Sequence, residues 1–280
     1  MSAFIQIEES LLASSGVGAS NISADGSSFT IQLEDGFSIP QEAMNCTLEV
    51  QEATVWWTVP NIISGVNDKL YIVAPDVGNV LTAYVITLSQ GLYDQPALNG
   101  AVQRELESQG AKIDPEPVIS INADDATQKI IIRFAFVGTQ VDFTQADTFR
   151  VILGFPSVVV GPNAVAPQNY LAASVAQFNQ INYFLIHSDL ISRGIRFNNT
   201  YNQTISQVLI DVSPGSQITS RPFNPAKVDA NEMVGQRRTR LRFWLTDDQD
   251  RQVNTNGEIF SCRVVIKYQM DMRKKMLSGR

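Results

Sequence analysis

RLRFWLTDDQDRQVNTNGEIFSCRVVIKYQM, residues 240–270, sets two strand-like runs around a crowd of acidic side chains. Its flanks, RLRFWLT (240–246) and FSCRVVIKYQM (260–270), are dense in branched and aromatic residues and read as β-strands. Between them lie four carboxylates, Asp247, Asp248, Asp250 and Glu258. Carboxylates crowded in this way could bind a metal, act as acid and base, or cap the backbone of a turn. A calcium loop needs glycine at its sixth position, and counting from Asp248 that position is Val253. A connection between two strands uses Asp and Asn to bond its own backbone, so the stretch is expected to be a hairpin connection.

The same strand pattern runs outward along the chain. SFTIQL (28–33), TLEVQEATVWWTV (47–59), KLYIVA (69–74), LTAYVITL (81–88), VISINA (118–123), KIIIRFAFV (129–137), INYFLIH (181–187) and TISQVLIDV (204–212) all carry it. In VLIDV, Val208, Ile210 and Val212 share one face, and Leu209 and Asp211 share the other. DG at 25–26 and 35–36, PGS at 214–216 and TNG at 255–257 punctuate the runs as turns. A helix is expected near 95–109: Asp94 or Gln95 can cap it, Pro96 fits its first turn, and Leu98, Val102 and Leu106 make one stripe. Gly110 can end it in the left-handed conformation. A second short helix or turn is expected at 144–155, with Thr144 as its cap and Asp147 at its third position.

PSVVVGPNAVAPQ (156–168), with three prolines and no charge, reads as a domain boundary. The expected fold is mostly β. It comprises two antiparallel β-sandwich (jelly-roll-like) domains, with one or two short helices in the N-terminal half. The expected domains are an acidic one over 1–158 and a basic one over 169–280 that ends in a short basic tail. Residues 1–158 hold 6 Lys and Arg against 19 Asp and Glu, whereas 159–280 hold 15 against 9. Such asymmetry suits either head-to-tail docking of copies or two differently solvated surfaces.

No apolar run approaches the roughly 18 residues of a membrane span. MSAFIQIEESLLASS (1–15) lacks a basic leader and carries Glu8 and Glu9, unlike a secretory signal. Cys46 and Cys262 match no metal or redox spacing and read as buried thiols. The Asn-x-Ser/Thr sites at Asn21, Asn45, Asn198 and Asn202 are expected to stay unmodified.

His187 is the only histidine, and adjacent strand residues such as His187 and Ser188 point to opposite faces. The chain has no G-x-S-x-G elbow, P-loop, dinucleotide fingerprint or H-E-x-x-H. The expectation is therefore no catalytic, cofactor or metal residues, and a structural hydrogen bond for His187. The residues singled out as interface candidates are Trp56, Trp57, Arg238, Arg240, Arg242, Arg273, Lys274 and Lys275. On a strand one of Trp56 and Trp57 faces the core and the other faces out. Arg238, Arg240 and Arg242 alternate onto one face, either as an anion- or partner-facing stripe or as a charged edge defended against aggregation. The tail MRKKMLSGR (272–280) is a basic arm suited to an anionic partner. Trp56, Trp57 and the polar loop RFNNTYNQT (196–204) also suit a glycan-binding attachment module.

The ordered segments SSFTIQLEDGFSIP, WWTVPNIISGVNDKLYI, YVITLSQGLYDQPALNGAVQREL and VDFTQADTFRVILGF, across 27–155, give the chain a distinctive texture. INYFLIHSDLISRGI, VLIDVSPGSQI, RPFNPAKV and RFWLTDDQDRQVNTNGEIFSCRVVIKY continue it across 181–268. This order resembles capsid-associated structural proteins of small double-stranded DNA viruses of the double-jelly-roll lineage, such as virophages and Polinton-like viruses. The resemblance implies a penton or minor capsid protein in the virion. It also implies no cofactor and no catalytic residues. The two β-rich blocks, the missing chemistry and the acidic–basic asymmetry add the expectation of a cyclic homo-oligomer with major capsid subunits as neighbours. A small major capsid protein is the alternative within that class. The chain would be made in the host cytoplasm and not secreted.

Overall fold

The computed structural model describes residues 4–16, 18–112, 115–179, 181–197 and 200–271. The chain is mostly β, with antiparallel sheets and, among the described residues, two α-helices. Contacts divide it into two units: Met1–Val59 with Ile181–Arg280, and Pro60–Gln180. The first is built from both ends of the chain, and the second is one continuous stretch. The chain change expected at 156–168 lies inside the second unit, where Val159–Val160 forms a strand. The crossings between units fall at 59–60 and 180–181.

The terminal unit starts with β1 (Phe4–Ser14), β2 (Ala19–Ser20), β3 (Ser28–Ser38) and β4 (Met44–Trp56). The continuous unit holds β5 (Lys69–Pro75), β6 (Leu81–Thr87), α1 (Gln95–Ser108), β7 (Ile119–Asp124), β8 (Lys129–Phe134), β9 (Gln140–Asp142), α2 (Arg150–Leu153), β10 (Val159–Val160) and β11 (Gln168–Val175). The chain then returns with β12 (Tyr183–Ser188), β13 (Arg196–Phe197), β14 (Thr200–Tyr201), β15 (Thr204–Leu209), β16 (Gln217–Ser220), β17 (Val228–Asp229), β18 (Arg237–Thr246) and β19 (Ser261–Asp271).

In the terminal unit one sheet runs β1-β19-β4-β16, with β17 also on β4, and the other runs β15-β12-β18-β3-β2. The two strands of the opening stretch, β18 and β19, therefore belong to different sheets. Residues 247–260 cross between sheets and are not a hairpin. A hairpin would give two adjacent strands, but each strand here already has neighbours on both sides: β12 and β3 for β18, β1 and β4 for β19. Alternation places Leu241, Phe243 and Leu245 of β18 inward, and Cys46, Leu48 and Val50 of β4 inward. Gln51 is an extra residue in β4: Val264 pairs Val50 and Arg263 pairs Glu52. That bulge changes the parity, so Ala53, Val55 and Trp57 also face the core. Phe29 stacks on Phe243 and meets Phe260 edge-on, which joins the two sheets.

The continuous unit has sheets β10-β9-β5-β6 and β11-β8-β7 around its own core, including Leu70, Ile72, Ile121, Ile132, Phe134 and Phe143. Asp94 caps α1 by accepting from Ala97 N at 2.8 Å, Pro96 lies in the first turn, and Leu98, Val102 and Leu106 are buried. Gly110 adopts φ 85° at the helix end. α1 covers two sheet edges. Asn99 Oδ1 accepts from Ile121 N at 2.8 Å and Gln95 Nε2 donates to Ile121 O at 2.5 Å, both on β7. Gln109 Nε2 donates to Val85 O on β6 at 3.1 Å.

Three local expectations differ from the structure. α2 starts at Arg150, so Thr144 is not its cap: Thr144 N and Oγ1 both bond Asp142 Oδ1 instead. Asp147 is not in its first turn but is held by Lys69 at 2.8 Å and by Tyr71. The DG at 35–36 is not a turn between strands but an excursion within β3, with Gly36 at φ 70°. β1 and β11, which the alternating pattern did not single out, are strands.

Candidate interaction surfaces

The carboxylates of the opening stretch diverge to separate partners. Asp247 is buried: its Oδ1 accepts from Gln249 N and Arg251 N, both at 2.9 Å, and its Oδ2 accepts from Arg251 Nε at 2.8 Å. Asp248 accepts from Asn182 Nδ2 at 2.5 Å, and Asp250 accepts from Thr246 Oγ1 at 3.1 Å. The crossing is then sewn to the loop before β3. Gln252 Nε2 donates to Asp25 Oδ2 at 2.9 Å, and Thr255 N donates to Asp25 O at 2.8 Å. Burial pushes the Asp25 carboxyl up, but bonds from Ser23, Ser27 and Gln252 outweigh it and hold it below its ordinary range. Among the described residues no group of three or more His, Cys, Asp or Glu side chains could hold a metal.

His187 and Ser188 point to opposite faces of β12, as strand geometry requires. Ser188 lies in the core, and its Oγ accepts from Leu190 N at 3.2 Å. The His187 ring is 2% exposed on the other face. Its Nε2 lies 2.7 Å from Thr246 Oγ1 and its Nδ1 lies 3.3 Å from Thr204 Oγ1. Burial depresses its pKa to about 4, with Asp250 opposing the shift. The ring is therefore neutral at pH 7, and its 3.5 Å approach to Asp250 is not an ion pair there. With both nitrogens engaged and the ring covered, the group serves packing: Trp244 stacks on it at 5.3 Å, nearly parallel. Arg242 lies over the Trp244 ring at 5.4 Å.

Arg240 and Arg242 project outward from β18. Arg238 does not share their setting, because β3 shifts register between its partners: Arg240 pairs Gln32 and Arg238 pairs Phe37. Arg238 is half-buried, and its Nη1 donates to Asp189 O at 3.0 Å. Trp57 is 1% exposed and meets Phe184 edge-on at 6.1 Å, which leaves Trp56 as the outward member of the pair. Trp56 and the arginines lie on different sheets. Arg196 and Thr204, at the two ends of the 196–204 segment, lie beside Tyr183, Leu185 and Gln207 on the arginine-bearing sheet, and Trp56 lies on the other sheet. Residues 198–199 of that loop lie outside the described residues, as do Arg273, Lys274 and Lys275.

The acidic start and basic end of the chain meet inside one sandwich. Residues 1–59 hold eight Asp and Glu and no Lys or Arg. Lys267 on β19 pairs with the buried Glu49 on β4 at 2.8 Å and with Glu8 on β1 at 3.7 Å. Arg221 pairs with Glu52 at 2.7 Å. Three of those eight acidic side chains, Glu8, Glu49 and Glu52, are thus met by cations from the other end of the chain. Cys46 and Cys262 are free, buried thiols, pushed by burial up to about 11 and about 12. Among the described residues no helix is long and apolar enough to cross a membrane.

The surface that the sequence did not announce is the β1 side of the terminal unit. β1 pairs only with β19 among the described residues, so its other edge is open. Its inward face rises out of the core, from Ala13 at 0% exposure to Ile5 at 44%. Opposite it, β3 leaves its ladder over 33–36. The space between is a groove of about 420 Å³ floored by Leu11, Leu33, Phe37, Leu241 and Ile266. Glu9, Glu34 and Asp35 line it as well. The signal available in sequence was FIQIEESLLAS itself, whose paired glutamates interrupt the alternation.

No family model matches the chain, and no curated protein matches it. Among solved structures it is similar to the selenomethionine-labelled mavirus penton protein, at 12% identity and a TM-score of 0.46, over 95% of this chain and 100% of that one.

Proposed function

We propose that this chain is a virion structural protein, a penton or other minor capsid protein that assembles as a cyclic homo-oligomer among neighbouring capsid subunits. The observation that carries this reading is the open side of the terminal unit: an eleven-residue edge strand beside an apolar groove. A long edge with few defences is a template for another chain, and an apolar groove supplies contact area. The outward Arg240 and Arg242 add a charged face to the same unit, and the order of segments along the sequence supports the same class. Heterologous contacts close into rings where the rotation between copies closes, and otherwise run on as filaments. Quantitative mass spectrometry of purified particles tests the reading. A vertex protein is present at a small fraction of the major capsid protein's copy number. Dominance of the particle would make it the major capsid protein, and absence from particles would sink both readings.

A further inference from the structure

We infer that the groove between β1 and the 33–36 excursion of β3 receives the C-terminal segment 272–280 of a second copy of this chain. This rests on the assembly reading above and names the contact that builds it. The two units treat exposed sheet edges differently. In the continuous unit, polar side chains of α1 bond the edges of β7 and β6. In the terminal unit no described element does this for β1, whose 11 residues contain neither Lys nor Pro to discourage pairing.

The chemistry of the groove selects its occupant. Its floor is apolar, and its rim carries Glu9, Glu34 and Asp35. Neither Glu34 nor Asp35 forms an ion pair among the described residues. Arg237 donates to the Asp35 carbonyl at 2.8 Å, and no Lys or Arg is among the residues lining the groove, which leaves its rim acidic. A second β1 strand is a poor occupant: antiparallel pairing about the strand's midpoint would set Glu9 against Glu9. Residues 272–280, MRKKMLSGR, supply Arg273, Lys274 and Lys275 for the rim, and Met276 and Leu277 for the floor. Nine residues span about 30 Å when extended, the reach of nine of the eleven residues of β1. Tail into groove is a heterologous contact, which repeats around a ring.

Cysteine cross-linking on the full chain tests this. Gln32 lines the groove and is exposed, so Gln32→Cys marks the groove and Leu277→Cys marks the tail. The native Cys46 and Cys262 are buried and do not compete. The two single variants are mixed under a mild oxidant and run on a non-reducing gel. The expected result is a covalent heterodimer, several-fold above that from Leu277→Cys mixed with Val77→Cys, an exposed position in the other unit. It should fall with added salt, and fall again when Glu34→Lys and Asp35→Lys are added to the Gln32→Cys chain. Heterodimer no greater than the control overturns the inference. So does a disulfide that forms only within a doubly substituted chain, since the tail would then sit on its own molecule. A protein found in particles at vertex copy number that gives no cross-link would keep the capsid reading and lose this one.

Discussion

The continuous unit and the terminal unit solve the same problem, two sheets around one core, in different ways. In the continuous unit one helix lays Leu98, Ala101, Val102 and Leu106 on the core and caps two sheet edges with Gln95, Asn99 and Gln109. In the terminal unit, strands from opposite ends of the chain are joined by complementary charge, and the β1 side is left open. The difference teaches that closure and openness are local choices of the sequence. A buried helix stripe closes a sandwich, and an edge strand with an acidic middle leaves one available to a partner.

The largest test concerns the closed side. Leu98 is fully buried, so Leu98→Ala should cost about 2–5 kcal/mol through lost transfer energy and the cavity left behind. Both α-helices lie in the continuous unit, so the helical circular dichroism signal should melt earlier. A change below about 0.5 kcal/mol would mean that α1 does not close the unit.

The next test is inside the terminal unit. His187 has a folded pKa of about 4, below its unfolded value near 6.5. The unfolded chain therefore binds a proton first as pH falls. Stability from the neutral ring is fully present above about pH 6.5 and is lost progressively towards pH 4, by up to about 3 kcal/mol. His187→Gln should flatten that part of the stability profile, as measured by urea unfolding with tryptophan emission. All three tryptophans, Trp56, Trp57 and Trp244, lie in this unit. An unchanged slope in the variant would assign the pH dependence to other groups.

The smallest effect is expected at the open side. Glu34 and Asp35 are exposed and unpaired among the described residues, so Glu34→Ala and Asp35→Ala should shift stability by no more than about 0.5 kcal/mol. A larger loss would show that the rim serves the fold and not a partner.

Much of the fold was legible because its signals are local. The strand pattern of RLRFWLT in β18, and the cap, proline and stripe around Asp94, Pro96 and Leu98, are fixed by neighbours a few residues away. The strand expected through VLIDV is shorter, because β15 ends at Leu209. What was not legible depends on distant partners. Residues 247–260 sit between two strands, and nothing within them says that β18 and β19 pair elsewhere and lie in different sheets. The linear boundary at 156–168 followed composition, whereas the units follow β4 meeting β19 across the chain. The stripe of Arg238, Arg240 and Arg242 assumed an unbroken ladder, which the register shift opposite Arg238 interrupts. β1 was hidden because Glu9 occupies an inward position, where Tyr268 Oη donates to it at 2.9 Å.

The most direct test of the account is native mass measurement across a salt titration, comparing the full chain with one ending at residue 271. Assembly through tail and groove predicts a closed homo-oligomer for the full chain at low salt, weakening as salt screens the exposed charges. It predicts weakened assembly for the shortened chain, with a thermal midpoint nearly unchanged. A shortened chain that assembles as the full one does at every salt concentration, or a full chain that stays monomeric at high protein concentration, would contradict it.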